Sequence, residues 1–224
     1  MDNYTLKMEI MKEARSRGIK YLVHFTPEEN LQSILKYGLL SVRKLRNLGI
    51  RYEFNDPRRM DGVDDAICLS VSFPNYKLFW KFRKNNPNRT YVVLLIDAKV
   101  LWEKSCIFTW TNAANRQVSC LKRDEKMTPE AFKRMFGNLE KRRQMGLSPE
   151  YPTDYQAEVM VIEDLEPEYI KYVVVEKLED LFSSCIYPLY LSSISQKASD
   201  KFIVDSTYFL WRKAEEIWRT VGIG

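Results

Sequence analysis

His24 and Thr26 stand two apart in Tyr21-Leu22-Val23-His24-Phe25-Thr26, a stretch patterned as a short strand, so both side chains point to one face. Thr26-Pro27-Glu28-Glu29 has the spacing of a capping box with proline at the first helical position, which predicts a helix directly after the strand. An imidazole, a hydroxyl and unsatisfied helix-terminal amides in one place suit a ribose-phosphate ligand. The plain alternative is a half-buried histidine beside a capping threonine. Glu158, in Tyr155-Gln156-Ala157-Glu158, enters the apolar run Val159-Met160-Val161-Ile162. Either it faces water from an alternating strand, or it is held where negative charge is needed. A carboxylate so held can grip a sugar hydroxyl and stabilise an oxocarbenium-like transition state, with Gln156 on the same face.

Two charged stretches add to these groups. Asp56, Asp61, Asp64 and Asp65 could hold a metal, but Arg58 and Arg59 sit among them and the spacing is not that of a calcium loop. The stretch reads as a self-neutralised loop, or as one that offers a guanidinium to an anionic ligand. From Arg116 to Gln144 nine Lys or Arg stand against four Asp or Glu. With Trp110 nearby, this is either a solvated face or a surface for nucleic-acid backbone and splayed bases.

The single histidine excludes every site that needs two from one chain, including two-histidine zinc and iron centres. None of the eight glycines falls in a dinucleotide-binding or P-loop spacing. The four cysteines are far apart, as free thiols in a reducing cytoplasm would be. No apolar run approaches a membrane span, and the charged N-terminus carries no secretory pattern. A net charge of +5 over 224 residues permits a nucleic-acid partner without diagnosing one.

The elements expected to carry these groups are a helix over residues 4–17, the His24 strand, a helix with Leu31, Ile34 and Leu35 inward, and a left-handed stop at Gly38. Residues 41–65 show no periodicity. Further strands are expected over 66–73, 91–96, 157–162 and 169–175, and helices over 76–82, from Thr128 and from Asp205, with Tyr208, Trp211, Ile217 and Trp218 partly on one face. Strands and short helices without regular alternation favour an α+β fold in a single domain over residues 1–224.

Taken in order, these pieces resemble the DarT family of nucleic-acid ADP-ribosyltransferase toxins. The resemblance rests on His24-Phe25-Thr26 with Asn30-Leu31, Ile34-Leu35 and Gly38-Leu39, on the Arg59 neighbourhood leading into residues 65–75, and on Gln156-Ala157-Glu158, and it spans roughly residues 20–175. It implies an ADP-ribosyltransferase fold: a twisted, split β core with flanking helices and NAD, the ADP-ribose donor, in its cleft. It implies NAD contacts from His24, Thr26, Asn30, Ser41 and Arg59, and catalytic roles for Glu158 and Arg59, with Arg58 adjacent. Arg116, Lys122, Arg123, Tyr155 and Gln156 would meet the nucleic acid, most simply single-stranded DNA, with RNA as the alternative polymer. No metal is needed. The form of residues 70–75 is more similar to the guanine-linked branch than to the thymine-linked one. A cognate antitoxin, for example a macrodomain-type ADP-ribosyl hydrolase, is the implied partner. Outside this class stand a non-catalytic nucleic-acid-binding protein and a metal-dependent nuclease built on residues 56–65.

Overall fold

The computed structural model describes residues 2–53, 64–195 and 199–212. Its centre is the run Val92-Val93-Leu94-Leu95-Ile96, every residue of it buried, in strand β3 (Tyr91–Asp97). An unbroken apolar strand must be covered on both faces, and this one is. β1 (Tyr21–Pro27) pairs along one edge and β6 (Ile170–Val175) along the other. With β2 (Ile67–Val71), β4 (Cys106–Thr109), β5 (Glu158–Val161) and β7 (Phe202–Val204), the strands form one sheet in the order β4-β5-β2-β1-β3-β6-β7. All neighbours are antiparallel except β6 and β7.

Nine helices of the described residues surround the sheet: α1 (Asn3–Ser16), α2 (Leu31–Tyr37), α3 (Val42–Asn47), α4 (Tyr76–Asn85), α5 (Val100–Glu103), α6 (Arg116–Ser119), α7 (Pro129–Arg134), α8 (Leu139–Gln144) and α9 (Tyr187–Ser195). One face packs Leu22, Leu94, Leu69 and Val159 against Ile10 and Ala14 of α1 and Leu31 of α2. The other packs Val23, Val93 and Leu95 with Phe79 of α4 and Phe209. Each such Leu, Ile or Phe contributes about 1.5–3 kcal/mol by leaving water.

This arrangement is the expected α+β fold, and several local expectations need correction. Thr26 is still in β1, and its side chain does not cap a helix. A short 3-10 turn (Glu28–Asn30) with no side-chain cap intervenes before α2, because the Thr26 hydroxyl is engaged by Asn30 instead. Gly38 does end α2 at a positive φ of 84, as expected of a glycine stop, but its ψ of −176 lies outside the left-handed helical well. It brings the chain against Leu165, with which Leu39 forms a two-way bridge, and an added Cβ would lie 2.1 Å from the Leu165 carbonyl oxygen. Residues 42–47 form α3, capped by Ser41, where no element was expected. β4 was also unforeseen; four residues are too few to show a period. Residues 206–209 form a 3-10 turn, and Ile217 and Trp218 lie outside the described residues.

Candidate active site

β1 runs alongside β3 for its whole length but touches β2 only at Leu22↔Val71 and Val23↔Ser70. Beyond that point β2 turns its ladder to β5, through Leu69↔Val159, Cys68↔Met160 and Ile67↔Val161. The sheet therefore splits, and a cavity of about 480 Å³ occupies the opening, within the range of small-molecule sites. His24 spans the gap. Its Nδ1 lies 3.1 Å from the Cys68 carbonyl oxygen, and since a carbonyl only accepts, Nδ1 carries the proton.

The split also joins two faces of the sheet. Register places His24 and Thr26 with Leu94 and Val92, whereas Glu158 shares the opposite face with Met160, Cys68 and Ser70. All four of His24, Thr26, Asn30 and Glu158 nevertheless line the one cavity. An unbroken sheet would have kept them apart.

On the β1 side, polar contacts fix the wall. Asn30, buried at 7% exposure, donates through Nδ2 to Thr26 Oγ1 (2.9 Å) and to the Glu53 carbonyl (2.9 Å), and its Oδ1 accepts the Glu53 amide (2.7 Å). Asn30 thus ties Thr26 to the chain at Glu53 more than it offers itself to a ligand. Thr26, having accepted from Asn30, keeps a proton to donate. Arg89 also holds Glu53, at 2.6 Å, together with Glu29 at 3.0 Å, and the Glu53 hydrogen bond raises the guanidinium above its ordinary value. Farther along, Asp64 is held by Arg43 of α3 at 2.6 Å, which keeps its carboxyl below the usual range. Residues 54–63, with Arg58 and Arg59, lie outside the described residues.

On the β2 side, Ser72 adopts a positive φ of 61, a strained position for a residue other than glycine. The turn carries the chain into α4, where Ser70 Oγ accepts the Asn75 amide (3.2 Å) and Asn75 Oδ1 caps the Leu78 amide. Ser70, Asn75 and Leu78 line the cavity. Asn112, another lining residue, donates to Gln156 Oε1 at 3.4 Å.

The chain entering Glu158 is anchored with unusual force. Residues 148–153 include Pro149 and Pro152, which supply no amide donors. Two buried guanidiniums serve the carbonyls instead. Arg142, 6% exposed, donates to the carbonyls of Tyr151 (2.6 Å) and Ser148 (2.9 Å) and to Thr153 Oγ1 (3.2 Å). Arg212, 2% exposed, donates to the Pro152 carbonyl (2.8 Å). Burial lowers both, Arg212 to about 10, so both remain charged at neutral pH. Asp154 then accepts from Thr111 Oγ1 (2.7 Å) and from the Gln156 amide (2.9 Å).

Sequence reasoning anticipated His24, Thr26, Asn30 and Glu158 in one site. Ser41 is not among the lining residues; its Oγ accepts the Lys44 amide at 3.3 Å. The basic stretch is not one uniform exposed surface: Arg142 is buried, Arg123 pairs with Asp65 at 3.3 Å, and Arg134 lies 3.5 Å over the Trp110 ring. Arg116 and Lys122 are exposed. Tyr52, which also lines the cavity, and the two buried arginines were missed, because nothing local distinguishes them from surface residues. Among the described residues no group of three or more His, Cys, Asp or Glu is placed to hold a metal ion. Asp64 and Asp65, from the stretch expected to be self-neutralised, are both engaged by arginines.

Comparison with known proteins bears on this arrangement. The sequence profile of the family described as ssDNA thymidine ADP-ribosyltransferase, DarT, matches residues 23–181. Among solved structures, Thermus sp. 2.9 DarT in complex with NAD+ superposes with a TM-score of 0.56 at 14% identity, over 85% of this chain and 98% of that one. The same protein in complex with ADP-ribosylated ssDNA gives a TM-score of 0.53 at 12% identity, over 86% and 97%. At these identities the likeness is one of fold. No curated protein matches the chain by sequence.

Proposed function

The chain belongs to the DarT family, an NAD-dependent ADP-ribosyltransferase acting on single-stranded DNA, and on that premise we propose which of its residues do this work. The observation that carries the reading is the split between β1 and β2, which puts Glu158 into the same cavity as His24 and Thr26. NAD occupies that cavity as substrate. Thr26 donates to its ribose or phosphate oxygens, and His24, oriented through the Cys68 carbonyl, lies beside the same groups. Arg59, in the segment between Glu53 and Asp64, pairs with the phosphates or assists loss of the base proton.

Glu158 is the catalytic residue. The glycosidic bond from ribose C1′ to nicotinamide breaks, and its electron pair leaves with neutral nicotinamide. Positive charge develops on the ribose, and the carboxylate stabilises it and holds the ribose hydroxyls. A lone pair of a DNA base then forms the new bond to C1′, and the base gives up a proton. Departure of a neutral group needs little acid catalysis, so positioning and electrostatics supply the rate. Tyr155 and Gln156 face the acceptor, which must be unstacked to enter, and Arg116, Lys122 and Arg123 meet its backbone.

The same reading takes residues 1–224 as one transferase domain acting in the cytoplasm, which agrees with a sheet that continues from Tyr21 to Val204. No described helix is long and apolar enough to cross a membrane. Expression should be toxic, with an antitoxin that removes ADP-ribose or binds the enzyme. Incubation with NAD and mixed oligonucleotides, read by mass spectrometry, tests the function: one ADP-ribose is gained on single-stranded DNA. Modification of RNA alone would transfer the reading to that polymer, and no modification of either would end it. Fragmentation of the product decides between thymine and guanine.

A further inference from the structure

Beside Asn75 and Leu78 of the cavity lies a cluster of which the reaction as described uses only Tyr155. Tyr76 and Lys77 open α4 between Asn75 and Leu78, both of which line the cavity. The Tyr76 ring packs against Tyr155 and against Trp211, each at 4.9 Å between centroids. The Lys77 ammonium sits 4.5 Å from the centre of the Tyr155 ring and 5.8 Å from that of Trp211. Two facts distinguish the cluster from ordinary core packing. Lys77 is exposed and has no carboxylate partner among the described residues. The Tyr76 hydroxyl, on a residue only 2% exposed, has no hydrogen-bond partner among them either.

We propose that Tyr155, Trp211 and Lys77 form a subsite for the nucleotide next to the acceptor base, the neighbouring base stacking on the rings and its phosphate taking the Lys77 ammonium. The inference rests on the transferase reading, and deepens it. An aromatic face with an exposed cation above it is the chemistry that receives one nucleotide of a single strand. A solvent-exposed cation–π contact is weak against stacking plus a phosphate contact, so the incoming nucleotide displaces Lys77 from the ring and keeps it on the phosphate. Position supports the same occupant. Tyr155 directly precedes Gln156 and stands two residues before Ala157 and three before Glu158, so a strand whose base enters at Glu158 passes this surface.

The test uses the full chain, labelled single-stranded oligonucleotides and NAD. Lys77→Ala is expected to raise the oligonucleotide KM about 5–10-fold and to reduce the slope of log affinity against log salt by about 0.7, the value for one phosphate on a single strand. Trp211→Ala should raise the same KM by about 10-fold with an unchanged salt slope, and Trp211→Phe should restore most of it. In all three the dissociation constant for NAD stays within about twofold of the parent value. Lys77 is exposed, so its variant stays folded even if Trp211→Ala does not. An unaltered KM and salt slope in Lys77→Ala would overturn the subsite, and so would an equal loss of NAD affinity. A parent enzyme that modifies no oligonucleotide would instead overturn the transferase reading itself.

Discussion

The two sides of the cavity are built by opposite means. The wall that carries His24 and Thr26 comes from residues 22–53, a strand and two helices in succession, and its central contact joins Thr26 to Asn30, four residues apart. The chain that delivers Glu158 to the cavity is residues 148–157, which belong to no helix or strand. It is held by Arg142, within eleven residues, and by Arg212, sixty residues from its partner Pro152. A ladder supplies hydrogen-bond partners from within the elements it builds. An irregular segment with two prolines lacks those donors, and its buried carbonyls need them from elsewhere. Guanidiniums do this well, with five donors in a fixed fork, but a buried cation is costly unless nearly every donor is used.

The largest expected effect concerns the residue both walls share. Glu158→Gln should lower transfer by about 10²–10³-fold, with the NAD dissociation constant and melting temperature near the parent values. A variant that kept the parent rate would remove Glu158 from the chemistry. Next, Arg142→Met strips donors from the Ser148, Tyr151 and Thr153 oxygens. A loss of about 3 kcal/mol follows, or roughly 6–12 °C in Tm, with oligonucleotide KM rising more than NAD KM. Equal rises in both KM values would mean the walls are not separable.

Gly38→Ala probes the other wall. Its Cβ would meet the Leu165 oxygen at 2.1 Å from a backbone with φ 84, so about 2–3 kcal/mol should be lost in denaturant unfolding, with the kinetic defect confined to NAD. Thr26→Val is the mildest. It keeps the shape and removes one hydroxyl, and NAD KM should rise about 5–10-fold while DNA KM is unchanged. A rise in DNA KM instead would place Thr26 on the wrong side of the comparison.

How much of this was legible follows the same division. The β1 strand, α2 and its Gly38 stop could be read from residues 21–38, because each rests on neighbours within a few positions. β5 was visible as an apolar run with one glutamate in it. Arg142 read as part of a basic face, because the carbonyls it satisfies sit in a loop whose path depends on Met135 and Gly137, whose carbonyls accept from the Thr153 amide and hydroxyl. β4 became a strand only by lying against β5, at Thr109↔Glu158 and three further pairs.

The linear chain by itself determined the apolar runs that become the central strands, the alternation that sends His24 and Thr26 to one face, and the presence of a single carboxylate in a strand where charge is costly. Only the tertiary structure decided that β2 leaves β1 after two pairs. Strand alternation is a local property of one chain segment, but where a ladder stops depends on how distant strands diverge: β2 meets β1 through Ser70 and Val71 and β5, on its other edge, through Ile67, Cys68 and Leu69. That divergence opens the sheet, and the opening brings Glu158 from one face to the cavity that His24 and Thr26 reach from the other.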